Sequence, residues 1–339
     1  MHAPIQNELL AEIGELVESG AFVNGPQVAE FEREFAAWCG APNCVGTASG
    51  LDALRLGLVA CGVAAGDEVI VPAMTFVATA EAVSQAGGRP VLADIATDDW
   101  NLAPDAVAAA VSERTRAILP VHLYGQLADM RALGELATRR DLALIEDACQ
   151  AHGAERDGIV AGSGGHAAAF SFYASKNLGA MGDAGALTTS DAGFADAVRA
   201  LREHVQRRKY EHDVEGWTAR LDTIQAIVLR LKLPLLDEWN VQRRQAAALY
   251  TEMLAGMGDV DLPPVPPGSS PVWHLYVVRT AAPQDLGEFL ADRGIASGRH
   301  YPIPVHLRDS RGGREGMSLA PHFPRHHRGT DRRCRGRRP

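Results

Sequence analysis

Short runs of consecutive apolar residues alternate with segments of helical period along the first two thirds of the chain. Val69–Val71, Pro90–Asp94, Arg116–Val121, Ala143–Glu146, Ala168–Phe172 and Gly185–Thr189 read as strands. Between several of them, Leu51–Cys61, Ala78–Ala86, Pro104–Val111 and Met130–Arg139 read as helices. Strands apolar on both faces and alternating with helices predict an α/β fold, a mostly parallel sheet between helices. Ligands of such sheets sit beyond the carboxyl ends of the strands, which is where polar residues collect here.

The character changes after Arg220. Leu221–Tyr250 is dense in Leu, Arg and Gln and reads as one or two helices, with Pro234 as the break. A stiff Pro-rich connection, Leu262–Gly268, leads to a predicted strand at Val272–Arg279, a helix at Pro283–Arg293 and a short return at Ile295–His300. These predict a second, smaller α/β unit. The expected boundaries are a large domain over 1–235, a small domain over 236–308 that includes the linking helix, and an atypical basic tail over 309–339.

Composition narrows the field. The 339 residues are 46% hydrophobic and 22% charged, as in ordinary globular proteins. No apolar run approaches the roughly 20 residues a membrane helix needs. The start Met1–Gln6 lacks a basic and apolar leader, so the expected location is the cytoplasm. Five cysteines without paired spacing argue against a disulfide framework or a zinc site, and the scattered histidines offer no metal. The net charge of −9 hides an asymmetry: from Arg308 onward ten arginines face three acids. The acidic remainder does not suit nucleic acid.

Three stretches carry candidate chemistry. Gly46-Thr47-Ala48-Ser49-Gly50 precedes the helix at Leu51, so backbone N–H groups and the helix dipole could receive a phosphate there. The same stretch also reads as a helix start capped by Ser49. Leu144 to Gly153 puts Asp147 at the end of a buried strand, where a carboxylate needs a partner or serves as a cap. Phe170 to Gly179 puts Lys176 just past another strand end, in apolar, glycine-rich surroundings. Burial lowers a lysine pKa and makes its amine nucleophilic, although most lysines are merely solvated. A phosphate cup, an acid and a lysine on one sheet together suit pyridoxal 5′-phosphate.

These residues resemble the pyridoxal-phosphate sugar aminotransferases of the DegT/DnrJ/StrS family, of the aspartate-aminotransferase fold type I. The resemblance is carried by Gly66–Pro72, Thr75–Thr79, Pro120–Gln126, Glu146–Gly153, Phe170–Gly185, Arg220–Asp222, Leu231–Leu233 and His300–His306, in one order from about residue 20 to 308. It implies that Lys176 binds the cofactor aldehyde and shuttles the proton. Asp147 would pair with the pyridinium nitrogen, Gln150 would approach the phenolic oxygen, and Phe76 would stack on the ring. Ser49, Gly50 and Ser171 would hold the phosphate. Lys209, Tyr210, His300 and Tyr301 would lie near the substrate. Arg202, Arg207, Arg208, Lys209 and Arg299 are candidate cations for an anionic substrate.

The implied reaction moves an amino group from an amino acid, L-glutamate, to a keto sugar on a nucleoside diphosphate, for an amino sugar of a secondary metabolite or surface glycan. The implied assembly is a homodimer, with 209–220 reaching into the partner's site. Gly125-Gln126 and Lys176–Asp183 resemble members that aminate position 3 of a keto-6-deoxyhexose. The alternatives are a 4-keto sugar aminotransferase and a catalytically impaired or regulatory relative that binds the cofactor. A dehydratase branch carries His in place of the lysine, so Lys176 argues against it. Leu51 and Thr218 depart from the family pattern, which has Thr and Asn there. The tail past Arg308 departs most: the family continues with helices and an apolar strand, whereas the Arg-rich composition here reads as disordered or as a shifted reading frame.

Overall fold

The Ala143–Asp147 strand shows why the chain adopts a two-faced sheet. Leu144 packs into one apolar cluster with Phe31, Phe35, Phe170 and Phe172, while its neighbour Ile145 packs into another with Leu54, Leu56, Val69 and Val71. Successive side chains point to opposite faces of a strand, so a run apolar at every position needs cover on both sides. Ile70 and Val69 divide between the two clusters in the same way.

The computed structural model describes residues 3–208, 211–212, 215–303, 305 and 318–321. Its main sheet has seven strands in the order Asn43–Thr47, Gly185–Thr189, Ala167–Ser171, Ala143–Asp147, Thr115–Ile118, Glu68–Pro72, Arg89–Ala93. Gly185–Thr189 is antiparallel to both neighbours, and the other pairings are parallel. The expected α/β architecture is therefore present. Ala143–Asp147 and Ala167–Ser171 are parallel neighbours in the interior of the sheet, so their carboxyl ends lie side by side.

Helix ends follow local chemistry. Ser49 caps Gly50–Ala60 by accepting from the Asp52 N–H at 3.0 Å. Asp129 caps Met130–Arg140 through the Ala132 N–H at 3.0 Å, and Arg139 and Arg140 sit in its last turn, where the dipole favours cations. The predicted break at Pro234 is a 3-10 turn, Leu233–Leu235, between the helices Thr223–Lys232 and Leu236–Leu254.

Beyond that link, the antiparallel strands Val278–Arg279, Ser318–Pro321 and Ser297–Arg299 form a small sheet beside the helix Pro283–Ala291. The strand expected over Val272–Arg279 is thus confined to its last two residues. The preceding residues dock on a loop instead: Val272 N–H donates to the Gly125 carbonyl at 2.9 Å and Leu275 N–H to that of Tyr124 at 3.3 Å. Ser318–Pro321 is a strand within the span expected to be an unstructured tail.

Among the described residues, no helix is long and apolar enough to cross a membrane, no cluster of His, Cys, Asp and Glu could hold a metal, and Cys39, Cys44, Cys61 and Cys149 are free thiols.

Candidate active site

Asp147 ends its strand nearly buried, and its carboxylate is met on both oxygens. The Thr79 hydroxyl donates to Oδ2 at 2.7 Å and the Cys149 N–H to Oδ1 at 3.2 Å. Thr75 supports Thr79 through a hydroxyl contact of 2.8 Å. A carboxylate oxygen has room for more than one donor, so this acid can still receive a ring N–H.

The preceding residue, Glu146, is fully buried and caged. It accepts from the N–H groups of Gly162, Gly164 and Gly165 at 3.0, 2.8 and 2.9 Å, and from His122 Nε2 at 2.8 Å. His122 Nδ1 accepts from the Ala128 N–H at 3.2 Å, so the ring proton sits on Nε2 and points at Glu146. The His122 N–H in turn holds the Asp147 carbonyl at 3.0 Å. Glu146 and His122 thus fix the strand end from behind.

Lys176 lies on the loop leaving the neighbouring Ala167–Ser171 strand, its side chain only partly exposed. Burial holds its amine below the ordinary lysine value, with Cys149 and Asp147 pulling part of the way back. Lys176 also acts on its surroundings: His152 is pushed down to about 3, first by burial and then by this amine. His274 is lowered by the same two causes. Neutral imidazoles therefore flank an amine biased toward its free form, the state that attacks a carbonyl carbon.

The three expected phosphate residues come together. A Cβ on Gly50 would lie 2.6 Å from Cys149 Sγ and 2.7 Å from Ser171 Cβ. A Cβ on Gly185 would lie 2.3 Å from the Ser49 carbonyl carbon and oxygen. Only glycines allow the helix start to approach the strand ends this closely. The Ser49 hydroxyl is the helix cap, and it also donates to Asp52 Oδ2 at 3.1 Å. The groups left for an anion are the first-turn N–H groups of Gly50 and Leu51, ahead of the capped Asp52, and the partly exposed Ser171.

Gln150 is buried with both ends engaged: Oε1 accepts from the Tyr124 N–H at 2.8 Å and Nε2 donates to the Tyr301 hydroxyl at 3.0 Å. Burial pushes the Tyr301 phenol up to about 12. Its ring centroid is 5.8 Å from that of Phe76, which is 51% exposed, an unusual position for a large aromatic beside a buried acid. His300 joins through its carbonyl, which accepts from the Tyr124 hydroxyl at 2.5 Å. Asp147, Lys176, Phe76, Gln150, Tyr301, Gly50 and Ser171 are therefore linked by contacts and electrostatic influence near the strand ends. This set suits pyridoxal phosphate: an amine, an acid behind it, an aromatic face and an anion-binding helix start.

Other expectations fare differently. Lys209 and Tyr210 lie outside the described residues. Arg202 is not available as a substrate cation, because it is nearly buried and bound to Glu32 and the Gly46 carbonyl, each at 2.5 Å. Arg299 lies in the small sheet and bonds Gln284. The Thr218 hydroxyl contacts His204 Nε2 at 2.6 Å. Sequence reasoning missed Thr79, Glu146 and His122 as supports. All three lie in stretches that carry the family resemblance, and that recurrence was the only signal for them.

The family model described as the DegT/DnrJ/EryC1/StrS aminotransferase family matches residues 4–315. Over 303 residues the chain is 48% identical to the dTDP-3-amino-3,4,6-trideoxy-alpha-D-glucose transaminase of Streptomyces venezuelae, covering 89% of this chain and 80% of that protein. It is 43% identical over 301 residues to the dTDP-3-amino-3,6-dideoxy-alpha-D-galactopyranose transaminase of Aneurinibacillus thermoaerophilus, covering 89% and 83%. Its fold matches the crystal structure of S. venezuelae DesV in complex with ketimine intermediate at a TM-score of 0.91, with 44% identity over 94% of this chain and 90% of that one. These matches show that the chain belongs to the DegT/DnrJ/EryC1/StrS aminotransferase family.

Proposed function

We propose that this protein is a pyridoxal-phosphate-dependent aminotransferase. It moves an amino group from an amino acid, L-glutamate, to a keto sugar carried on a nucleoside diphosphate, with the 3-keto-6-deoxyhexose favoured. The observation that carries the reading is the meeting of Lys176, its amine biased toward the free form, with the nearly buried Asp147 and the Gly50–Ser171 approach. The 3-amino position rests on the names of the two relatives above and on the likeness at Gly125-Gln126.

When bound, the cofactor supplies an electron sink for charge developing on the substrate carbon. The chain's own residues do the rest. Lys176 is the amine that would hold the cofactor and that, once released, takes the α-proton as base and returns it as acid. Asp147, anchored by Thr79, keeps the ring nitrogen protonated. Phe76 would cover one ring face, while Gln150, bonded to Tyr301, would approach the phenolic oxygen. Ser171 and the helix N-terminus at Gly50 bind the phosphate, with Ser49 shaping that helix start.

His300, Tyr301, Lys209 and Tyr210 are proposed on the substrate side. In this reading 1–235 is the large domain, 236–308 the small one, and 309–339 a basic appendage. The working form is a cytoplasmic homodimer whose 209–220 segments reach the partner's site.

The test is a visible spectrum of the protein with pyridoxal phosphate, before and after glutamate, beside Lys176→Ala. A yellow band that bleaches with glutamate and is missing in the variant supports the reading. Absence of the band from both proteins overturns it. Proton NMR of the aminated sugar then separates 3- from 4-amination.

A further inference from the structure

Lys176 and Asp147 stand on different loops, and something must hold those loops in register. The Lys176 loop is pinned locally by its own N–H to the Tyr173 carbonyl at 2.8 Å and by the Ala180 N–H to that of Phe172 at 2.7 Å. Its longer-range anchor is the next residue. Asn177 is 1% exposed; its Nδ2 donates to Asn240 Oδ1 and to the Val272 carbonyl, each at 3.0 Å, and its Oδ1 meets His274 Nδ1 at 3.3 Å.

Asn240 is 3% exposed, on the linking helix Leu236–Leu254, and its Nδ2 donates to the His152 carbonyl at 2.9 Å. His152 closes the turn that begins at Asp147. In that turn the Cys149 N–H bonds Asp147 Oδ1, and the Ala151 N–H bonds the Ala148 carbonyl at 2.9 Å. The backbone carbonyls of Val272 and His152 can only accept, so they fix which way both amides face. One side-chain amide therefore accepts from the lysine loop and donates to the acid's turn. No other amino acid of this length supplies both functions: Asp lacks the donor and Leu lacks both.

We propose that Asn240 is a positioning residue that ties the Lys176 loop to the Asp147 turn and sets the distance between amine and acid. The inference rests on the roles given above to Lys176 and Asp147. It goes beyond them by assigning their registration to a helix outside the site. Misplacing a reacting group by about 1 Å can cost on the order of 10²-fold in rate, so the clamp acts on turnover more than on binding.

The experiment uses the full chain with Asn240→Ala, Asn240→Asp, Asn177→Ala, the double Asn177→Ala/Asn240→Ala, and the core control Leu133→Ala. The first readout needs no cofactor: the pH profile of Lys176 methylation by formaldehyde and cyanoborohydride, followed by peptide mass spectrometry. Asn240→Ala is expected to move the midpoint up toward an ordinary lysine, because water entering the opened loop relieves burial, a larger influence on the amine than the attraction of Asp147, whereas Leu133→Ala lowers the melting temperature and leaves the midpoint in place. In the loaded enzyme, Asn240→Ala is expected to lower kcat by about 10- to 100-fold with KM for the sugar nearly unchanged. Asn177→Ala should do the same, and the double variant should add little, because both lesions open one clamp.

An unchanged methylation profile, or fully additive losses, overturns the proposal. Should Asn240→Ala fail to fold, Asn177→Ala carries the test: it opens the same clamp from the lysine side without adding charge, and is expected to shift the profile in the same direction. If wild type shows no cofactor band but the methylation midpoints move as stated, the proposed function fails and the clamp stands.

Discussion

Two helices of similar length behave in opposite ways. Gly50–Ala60 buries six of its eleven residues, including Leu54, Leu56 and Leu58, against the sheet. Pro283–Ala291 buries none, and Phe289 on it is 51% exposed. The first lies on a seven-stranded sheet covered on both faces; the second lies beside a sheet of strands two to four residues long. The segment that precedes this helix is nonetheless well packed, since Val272 joins the cluster of Phe31 and Phe170 and Val277 that of Trp100 and Val121. The face that presents Tyr301 and anchors Asn177 is held, and the outer helix is not.

The largest expected effect tests that contrast directly. Phe170 is fully buried, edge-on to Phe35 with centroids 5.0 Å apart, so Phe170→Ala should cost about 3–5 kcal/mol. Phe289→Ala should cost about 1 kcal/mol or less, the size of its exposed pair with Arg293. Denaturant midpoints at constant slope measure both, and comparable losses would break the comparison.

Glycines sharpen it next. Gly50→Ala drives a methyl into Cys149 and Ser171 and should cost about 1–3 kcal/mol while weakening cofactor loading. Gly294→Ala meets nothing within 4 Å, and its cost is conformational, from a φ of +71°, about 1 kcal/mol. Fluorescence titration with pyridoxal phosphate should separate the two, with loading unchanged in the second.

A pH effect follows from Lys232, fully buried on the helix Thr223–Lys232 and donating to the Gly179 carbonyl of the Lys176 loop. Burial brings its amine down to about 8 from 10.5. The unfolded chain then binds more protons than the folded one between those values, so this residue makes stability rise with pH across that window. Lys232→Met should flatten the rise, read by urea unfolding at the two ends of the window. An unchanged slope would remove Lys232 as its source.

The sequence was legible where one local rule decided the outcome. Apolar runs marked the inner strands, Pro234 marked the break between helices, and the placing of Asp147 and Lys176 at strand ends was readable from the apolar runs before them. Asn43–Thr47 escaped because its small and polar residues carry no strand pattern; it is a strand because Gly185–Thr189 pairs with it along its whole length. Val272–Arg279 looked like a strand because it is apolar, yet most of it docks on the Tyr124–Gly125 turn. Asn240 was invisible for another reason. Its partners lie 63 and 88 residues away in sequence, and an Asn on a helix announces neither. Local chemistry can be read from spacing, whereas contacts that tie distant segments emerge only once the fold brings them together.

The smallest effect probes what holds the outer helix at all. The Arg293 guanidinium lies 3.5 Å over the Phe289 ring, and its Nη1 donates to the Phe289 carbonyl at 3.1 Å. Both groups face water, where such a pair is worth about 0.5–1 kcal/mol. A double-mutant cycle with Phe289→Ala and Arg293→Ala should return a coupling of that size or smaller, with kcat untouched in all three variants. A coupling several times larger would mean that this surface pair carries the helix. The small unit would then have a second source of order, independent of its contact with the site.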